Sequence, residues 1–157
     1  GIALEALAQA GSEARKLWSG WLNDTVTDLL ETLDLRWSRV LFAEDLTFSL
    51  YDKERGAWLD SLQVGAHLST GAKDQVWLAC RLGICRALSR EEPLPLLLDD
   101  PFLTWDDERF ERGMRLVGGE LLRENQIIIV TCHEGRHRRL REEDPEWFDS
   151  RFSFVDL

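Results

Sequence analysis

The stretch Leu96-Leu97-Leu98-Asp99-Asp100 consists of three leucines followed directly by two carboxylates. An unbroken apolar run of this length predicts a short strand buried in a sheet. A second run, Ile127-Ile128-Ile129-Val130, is β-branched throughout and predicts another buried strand. A helical pattern over residues 106–125 lies between the two runs. Unbroken apolar strands that alternate with helices indicate an α/β fold with a mostly parallel sheet, covered by helices on both faces.

The flanking segments add further helices and a hairpin. Apolar residues recur at three-to-four spacing from Leu4 to about Leu35, which predicts an amphipathic helix. Short apolar runs at residues 46–51 and 57–59 bracket a polar turn and predict a β-hairpin side layer. Residues 75–88 predict another helix, and a last short strand is expected over residues 152–155.

Composition excludes several classes of protein. A chain of 157 residues with 44% hydrophobic content can build the core of one domain. The formal charge of -10 disfavours a surface that grips nucleic acid all over, because phosphate binding needs clustered lysines and arginines. No apolar run approaches the roughly 20 residues that span a bilayer, so we expect no membrane partner. Three cysteines, an odd number, indicate a reducing compartment such as the cytoplasm.

The start of the chain carries a further expectation. It begins with Gly1, and its one methionine is Met114. We therefore expect the chain to have been cut from a longer polypeptide.

A small polar turn, Leu68-Ser69-Thr70-Gly71, runs directly into the predicted helix at Gln75. Such a turn presents backbone N–H groups, a hydroxyl and the positive end of a helix to one point, which suits a phosphate. Taken alone, the same pattern is also that of an ordinary helix cap.

Polar residues follow both buried strands. Asp99 and Asp100 end the first strand, and His133 follows the second. Their expected place is the carboxyl edge of the sheet, where open α/β sheets bind ligands. One carboxylate there can hold Mg²⁺ through water while its neighbour polarises an attacking water. The structural alternatives are an acidic pair that caps a turn and a histidine that merely lies at the surface.

In this order, these elements resemble the motifs of ABC-type ATPases. Leu68–Gln75 resembles the signature motif Leu-Ser-x-Gly-x-x-x-Gln, and Leu96–Asp100 resembles a Walker B strand. Asp106 matches the D-loop aspartate, and His133 matches the switch histidine. Two short sequences, Asp-Asp-Pro-Phe at residues 99–102 and Thr-x-His at residues 131–133, are most similar to those of the SMC, RecN and SbcC group of chromosome-maintenance and break-repair ATPases.

The resemblance covers roughly residues 40–157, which it identifies as the C-terminal lobe of an ATPase head. Residues 1–39 resemble only the helical end of a coiled-coil arm. The implied activity is the binding and hydrolysis of ATP between two dimerising heads, in DNA repair or chromosome maintenance. DNA contact is expected only through the full-length protein.

Family roles can be carried over residue by residue. Asp99 would hold Mg²⁺, Asp100 would orient or activate the attacking water, and His133 would contact the γ-phosphate. The ATP of a second head, and with it an ATP-dependent homodimer, would be held by Leu68, Ser69, Thr70, Gly71, Gln75 and Asp106.

Two departures from the family pattern matter. The sequence has no Gly-Lys dipeptide, so the phosphate-cradling Gly-x-x-x-x-Gly-Lys-Ser/Thr loop is absent from it. The resemblance therefore implies that a Walker A lobe of the same protein is the partner, and that the isolated chain is inactive. Asp100 also stands where many relatives have Glu, which shortens the reach of the base by one methylene. The alternative is a non-hydrolytic, partner-binding module that uses ATP only as a clamp.

The stretch His133-Glu134-Gly135-Arg136-His137 also matches the His-Glu-x-x-His pattern of zinc proteases. That chemistry requires both histidines on one face of a continuous helix. Here the pattern directly follows a strand, and a third ligand is not evident, so a zinc hydrolase is the least favoured interpretation. The arginines within and after the pattern predict a solvated, salt-bridged face rather than a DNA-binding one.

Overall fold

The computed structural model describes the chain except for residues 1, 34, 44, 46, 90, 91, 120–122, 124, 156 and 157. The chain divides into two compact units, Gly1–Ala87 and Leu88–Leu157. Among the described residues, none of the helices combines the length and the apolar character that crossing a bilayer requires.

The elements follow one another along the chain in two groups. The first group is α1 (Ile2–Thr32), β1 (Trp37–Phe42), β2 (Phe48–Asp52), β3 (Ala57–Asp60), α2 (Ser61–His67) and α3 (Thr70–Leu88). The second group is β4 (Leu96–Asp99), α4 (Asp107–Val117), β5 (Ile127–Val130), α5 (Glu134–Glu143) and α6 (Pro145–Arg151).

The long helix α1, about 46 Å in length, builds much of the first unit's core with its second half. The buried apolar side chains recur at the three-to-four spacing that predicted the helix: Leu22, Val26, Leu29 and Leu30 in α1, and Leu33 directly after it. Its first half leaves Leu4, Leu7 and Leu17 exposed. The assignment of residues 1–39 to a coiled-coil arm and of residues 40–157 to a lobe stays a prediction.

Helices α1 and α3 approach each other closely at Gly83. A Cβ atom added at Gly83 would lie 2.6 Å from Cγ2 of Val26, which is closer than real Cβ contacts. A glycine is therefore needed where the two helices cross.

The first unit contains a three-stranded antiparallel sheet in the order β1-β2-β3. Strands β2 and β3 form the hairpin predicted from residues 46–59, whereas β1 was not predicted as a strand. Helix α1 satisfies donors on β1, because Asn23 Oδ1 accepts a hydrogen bond of 2.6 Å from the Phe42 N–H. The strand is thus tied to the helix that precedes it.

The second unit contains a parallel pair, in which Leu96 lies opposite Ile127 and Asp99 lies opposite Val130. The α/β class and the two predicted strands are confirmed. The predicted parallel sheet has two strands among the described residues, and the predicted hairpin side layer belongs to a separate antiparallel sheet of three strands. The apolar runs identified strands but carried no information on which strands pair.

One face of the parallel pair is open. Leu97, Ile128 and Val130 lie on that face and are 67%, 45% and 42% exposed. The expected cover on both faces is therefore missing within the described residues of this chain.

The end of the second unit also differs from expectation. The predicted strand over residues 152–155 is wrong, because α6 ends at Arg151 and these residues form neither strand nor helix. Their aromatic rings instead pack back on α6: Phe154 stacks on Phe148 with ring centroids 5.5 Å apart. The predicted helix over residues 106–125 ends at Val117, and residues 120–122 and 124 of that range lie outside the described residues.

A buried carboxylate, Asp52, holds the end of β2 to the residues around it. It accepts hydrogen bonds from Arg36 Nε at 2.8 Å and Nη2 at 2.6 Å. The backbone N–H groups of Glu54 and Arg55 donate to it at 3.0 and 3.2 Å. Chiefly because of the hydrogen bonds from Arg36, the pKa of the Asp52 carboxyl lies below its usual value.

We expect Asp52→Asn to lower the free energy of unfolding by about 2–3 kcal/mol at pH 7, because it leaves Arg36 without its buried counter-charge. The folded-state pKa of Asp52 is depressed, so its contribution is present above the unfolded pKa of about 3.9 and is lost as the pH falls through the folded pKa. Urea unfolding at pH 7 and at lower pH measures both effects. Glu54→Gln, which removes an exposed partner of Arg36, is the control and should cost less than about 1 kcal/mol.

Candidate functional site

The parallel register of β4 and β5 brings the polar residues that follow each strand to the same sheet edge. The Asp100 N–H donates to the Val130 carbonyl at 2.9 Å, which extends the ladder one residue beyond β4. The Thr131 hydroxyl then donates to Oδ1 of Asp100. A carboxylate after one strand is thereby held by a hydroxyl after the next.

Asp100 has a left-handed backbone conformation, with φ at 40°. It is the one non-glycine residue with positive φ in the part of the chain that the structure describes. Aspartate tolerates this region better than most residues, and strained conformations concentrate at functional sites. The thiol of Cys132 donates to Oδ2 of Asp100 at 3.4 Å, so both carboxylate oxygens accept a hydrogen bond from the strand end.

These contacts determine the protonation states at the edge. The hydrogen bond from Thr131 is the main reason that the pKa of Asp100 lies below its usual value, and Cys132 and His133 act in the same direction. Asp100 is therefore ionised at neutral pH. The pKa of the Cys132 thiol is raised, chiefly by its hydrogen bond to Asp100, so the thiol keeps its proton.

His133 lies at the same edge, as the residue that precedes α5. Its backbone N–H donates to the Thr131 hydroxyl oxygen at 3.0 Å, and its side chain is exposed. The donor atoms of Asp100, Cys132 and His133 lie within 4.8 Å of one another, which is close enough to bind one metal ion.

Asp99, the predicted Mg²⁺ ligand, is exposed at the end of β4. Asp99, Asp100 and His133 were predicted from the sequence to lie at this edge. The hydrogen bonds that Thr131 and Cys132 donate to Asp100 were not predicted, although both residues stand in the Thr-Cys-His run at the strand end.

A cavity of about 400 Å³ opens beside this edge. Asp100 and His133 line it on one side, and Phe102, Phe110 and Arg136 line it on another. The guanidinium of Arg136 lies 4.4 Å from the centroid of the Phe110 ring and donates to the Phe102 carbonyl at 3.2 Å. The cavity is therefore polar at the strand ends and aromatic beyond them.

The zinc-protease pattern is not assembled in the described residues. His137 is 7% exposed and packs edge-on against Phe110, with ring centroids 4.8 Å apart. Burial lowers the pKa of His137, so its ring stays neutral at pH 7. Neither His137 nor Glu134 belongs to the metal-ligand group formed by the described residues.

The arginines of α5 form a salt-bridged face, as predicted. Arg136 and Arg139 both pair with Asp107, at 3.2 and 2.8 Å. Each of the remaining pairs joins an arginine to an acid in the same unit: Arg138 with Glu134, Arg139 with Glu143, and Arg141 with Asp149.

The signature turn of the first unit forms the start of α3. Ser69 Oγ accepts a hydrogen bond from the Ala72 N–H at 3.3 Å, and Thr70 and Gly71 form the first turn. Leu68 and Gln75 are buried. This geometry is that of a helix cap, and a role in binding the nucleotide of a second head stays a prediction.

Asp106, the predicted D-loop residue, caps α4. Its carboxylate accepts a hydrogen bond from the Arg109 N–H at 2.9 Å and pairs with the Arg109 side chain at 3.4 Å. More than half of the Asp106 side chain remains exposed. The capping carboxylate is therefore still partly accessible to solvent. The D-loop role of Asp106 stays a prediction.

Solved structures with a similar fold are heads of Smc proteins. One is the Pyrococcus furiosus Smc head domain with an extended coiled coil bound to the C-terminal domain of ScpA, with a TM-score of 0.61 and 16% identity. The match covers 86% of this chain and 34% of that chain. An SmcHead bound to the C-winged helix domain of ScpA matches 72% of this chain and 34% of its own, with a TM-score of 0.57 and 20% identity. The chain thus has an Smc head-like fold over most of its length.

Sequence comparison finds distant relatives. The uncharacterized protein YhaN of Bacillus subtilis is 34% identical over 67 residues, which is 43% of this chain and 7% of that protein. An uncharacterized protein of Mycobacterium tuberculosis is 33% identical over 70 residues, 45% of this chain and 8% of its own length. The matches therefore span less than a tenth of these curated relatives. No protein-family model matches the sequence.

Proposed function

We propose that this chain is the C-terminal part of an Smc-like ATPase head that binds and hydrolyses ATP between two dimerising heads, in DNA repair or chromosome maintenance. The observation that carries the proposal is the gathering of Asp99, Asp100 and His133 at the carboxyl edge of β4 and β5. The Smc head-like fold supports it, because it provides the context in which these three positions act together.

Asp99 is the residue that would hold Mg²⁺. Its exposed carboxylate fits the preference of this ion for oxygen ligands at the mouth of a site, where waters complete the shell. When bound, Mg²⁺ supplies positive charge that offsets the charge of the phosphates. Asp99 lies next to Asp100 in the chain, so one strand end serves both the metal and the water.

Asp100 would position the attacking water. Each carboxylate oxygen has a second lone pair after its bond to Thr131 or Cys132, so it can still accept a hydrogen bond from a water. Because the pKa of Asp100 is lowered, the carboxylate is a weak proton acceptor, so its role would be to orient that water by accepting a hydrogen bond from its O–H. His133, exposed at the same edge, would donate to the γ-phosphate.

The open face of the parallel pair is the proposed contact with the Walker A lobe. Leu97, Ile128 and Val130 form an apolar surface next to the acidic strand ends. A lobe that covers this face would remove the apolar side chains from water and bring its phosphate-binding loop toward Asp99 and Asp100. The start of helix α3, capped by Ser69, would contact the nucleotide of a second head.

A non-hydrolytic clamp is the second candidate. The observation that favours it is the engagement of both Asp100 oxygens by Thr131 and Cys132, which restricts the movement of a side chain that is already short. ATP would then hold two heads together without turnover. Steady-state ATP hydrolysis by the full-length protein separates the two candidates.

We expect Asp100→Asn to reduce the turnover of heads reassembled with the Walker A lobe by at least about 100-fold, because the water loses its charged anchor. ATP binding should change little, and the ATP-bound dimer should live longer.

Asp99→Asn should differ from Asp100→Asn, because it removes the metal ligand and should therefore weaken nucleotide binding as well as turnover. Asp149→Asn, at an exposed acid on α6, is the control, and the chain without the Walker A lobe serves as the blank. Equal turnover in wild type and Asp100→Asn would mean that Asp100 is not the catalytic carboxylate, and no turnover in the wild type would favour the clamp.

We expect Ser69→Arg to block ATP-driven dimerisation of complete heads, because it places a bulky side chain where a phosphate must approach backbone amides. Each separate head should still bind ATP. Light scattering with and without ATP measures the dimer, and Ser61→Arg at the start of α2 is the matched control. Unchanged dimerisation of the Ser69→Arg head would contradict the assignment of the signature turn.

We expect Leu97→Asp to weaken binding of the Walker A lobe by at least about 100-fold, since it places a charge in an apolar contact. Leu97 is largely exposed in the chain alone, so the thermal unfolding of the isolated chain should barely change. Calorimetric titration of the two lobes measures the affinity. Leu62→Asp, at a leucine of similar exposure on α2, is the control; equal losses in both variants would refute the assigned face.

A further inference from the structure

We propose that Asp100, Cys132 and His133 form a binding site for a thiophilic divalent ion of the zinc class. The three side chains offer one oxygen, one sulfur and one nitrogen, which is a ligand set that zinc accepts and that magnesium does not favour. The site is distinct from the Asp99 position assigned to Mg²⁺. It is also distinct from the zinc-protease pattern, because it uses neither Glu134 nor His137.

The spacing of the donor atoms fits such an ion. Bond lengths of roughly 2.3 Å to sulfur and 2.0 Å to oxygen or nitrogen place two ligands of a tetrahedral zinc about 3.5 Å apart. Cys132 Sγ and Asp100 Oδ2 are 3.4 Å apart, and all three donor atoms lie within 4.8 Å of one another. The side chain of His133 is exposed, so it can adjust toward the ion when the ion binds.

The surroundings hold the ligands in place. Thr131 donates to the Asp100 oxygen that faces away from Cys132, and it accepts from the backbone of His133. Such outer hydrogen bonds orient metal ligands in known sites. The backbone conformation of Asp100, with φ at 40°, turns its carboxylate toward this group.

The site is accessible and its charge balances. Cys132 and His133 are exposed, so an ion can enter from solvent and a water can take the fourth position. On binding, the S–H bond of Cys132 breaks, its proton passes to solvent, and a metal–sulfur bond forms. The thiolate and the Asp100 carboxylate then offset the two positive charges of the ion.

The regulatory consequence rests on the proposed function. Asp100 and His133 cannot serve a bound ion and the water and γ-phosphate of ATP at the same time. An ion of the zinc class would therefore inhibit ATP hydrolysis by occupying these side chains. Cys132 is the residue that makes the edge sensitive to such an ion.

The test is a titration of the 157-residue chain with Co²⁺, monitored by the charge-transfer absorption of a Co²⁺–thiolate bond. We expect one Co²⁺ per chain, displaced by Zn²⁺. Cys132→Ser should abolish the absorption although Cys80 and Cys85 remain, since both of these are buried. His133→Ala should weaken binding by more than about 100-fold and Thr131→Val by about 10- to 100-fold, whereas His67→Ala, the control, should have no effect.

The absence of a thiolate band in the wild-type chain would overturn the site, and so would a band that persists in Cys132→Ser. Inhibition is measured on reassembled heads, and the turnover of each variant is compared with its own rate without Zn²⁺. Zn²⁺ should lower the turnover of the wild type and leave that of Cys132→Ser unchanged. Equal inhibition of both would overturn the regulatory role. Heads without any ATPase activity would refute the proposed function, while the Co²⁺ titration would still decide the metal site.

Discussion

The hydrogen bond from the Thr131 hydroxyl to Asp100 is the contact on which the site at the sheet edge depends. The two residues are 31 positions apart in the chain, and the parallel register of β4 and β5 is what brings them together. The same contact lowers the pKa of Asp100, and the Thr131 oxygen also accepts a hydrogen bond from the N–H of His133, the residue that precedes α5. A slip of the register by one residue would turn the strand side chains to the opposite face and separate the carboxylate from the hydroxyl.

Sequence patterns predicted the local elements of this fold better than their pairing. The hairpin, the apolar strands and the helices were recognisable because each has its own periodicity. The split into a three-stranded antiparallel sheet and a two-stranded parallel one was not, since pairing depends on contacts distant in sequence. Strand β1 was missed because it follows closely on α1, whose helical pattern was expected to reach Leu35. Phe152 and Phe154 looked like strand residues, yet their rings gain more contact by packing on α6.

The candidate site was predictable in its position and less so in its chemistry. Asp99, Asp100 and His133 follow apolar strands, and any parallel pair brings such residues to one edge. The positive φ of Asp100 and the hydrogen bonds that Thr131 and Cys132 donate to it depend on three-dimensional geometry that no spacing rule contains. Ser69 and Asp106 each cap a helix, and the sequence pattern alone does not separate a helix cap from a nucleotide-binding turn, because both use N–H groups at a helix start.

The charge balance at the sheet edge bears on the proposed function, because a triphosphate is strongly negative. The arginines of α5, the helix that follows His133, are already engaged: Arg136 and Arg139 share Asp107, and Arg138 pairs with Glu134. The strand ends add the carboxylates of Asp99 and Asp100, so the edge as it stands repels phosphate rather than attracting it. In the function proposed above, positive charge would therefore come from outside these residues, from a metal ion at Asp99 and from the lysine of a Walker A loop. In that proposal the edge is one side of a composite site, whose acidic groups would act on water and metal while a partner would bind the phosphates.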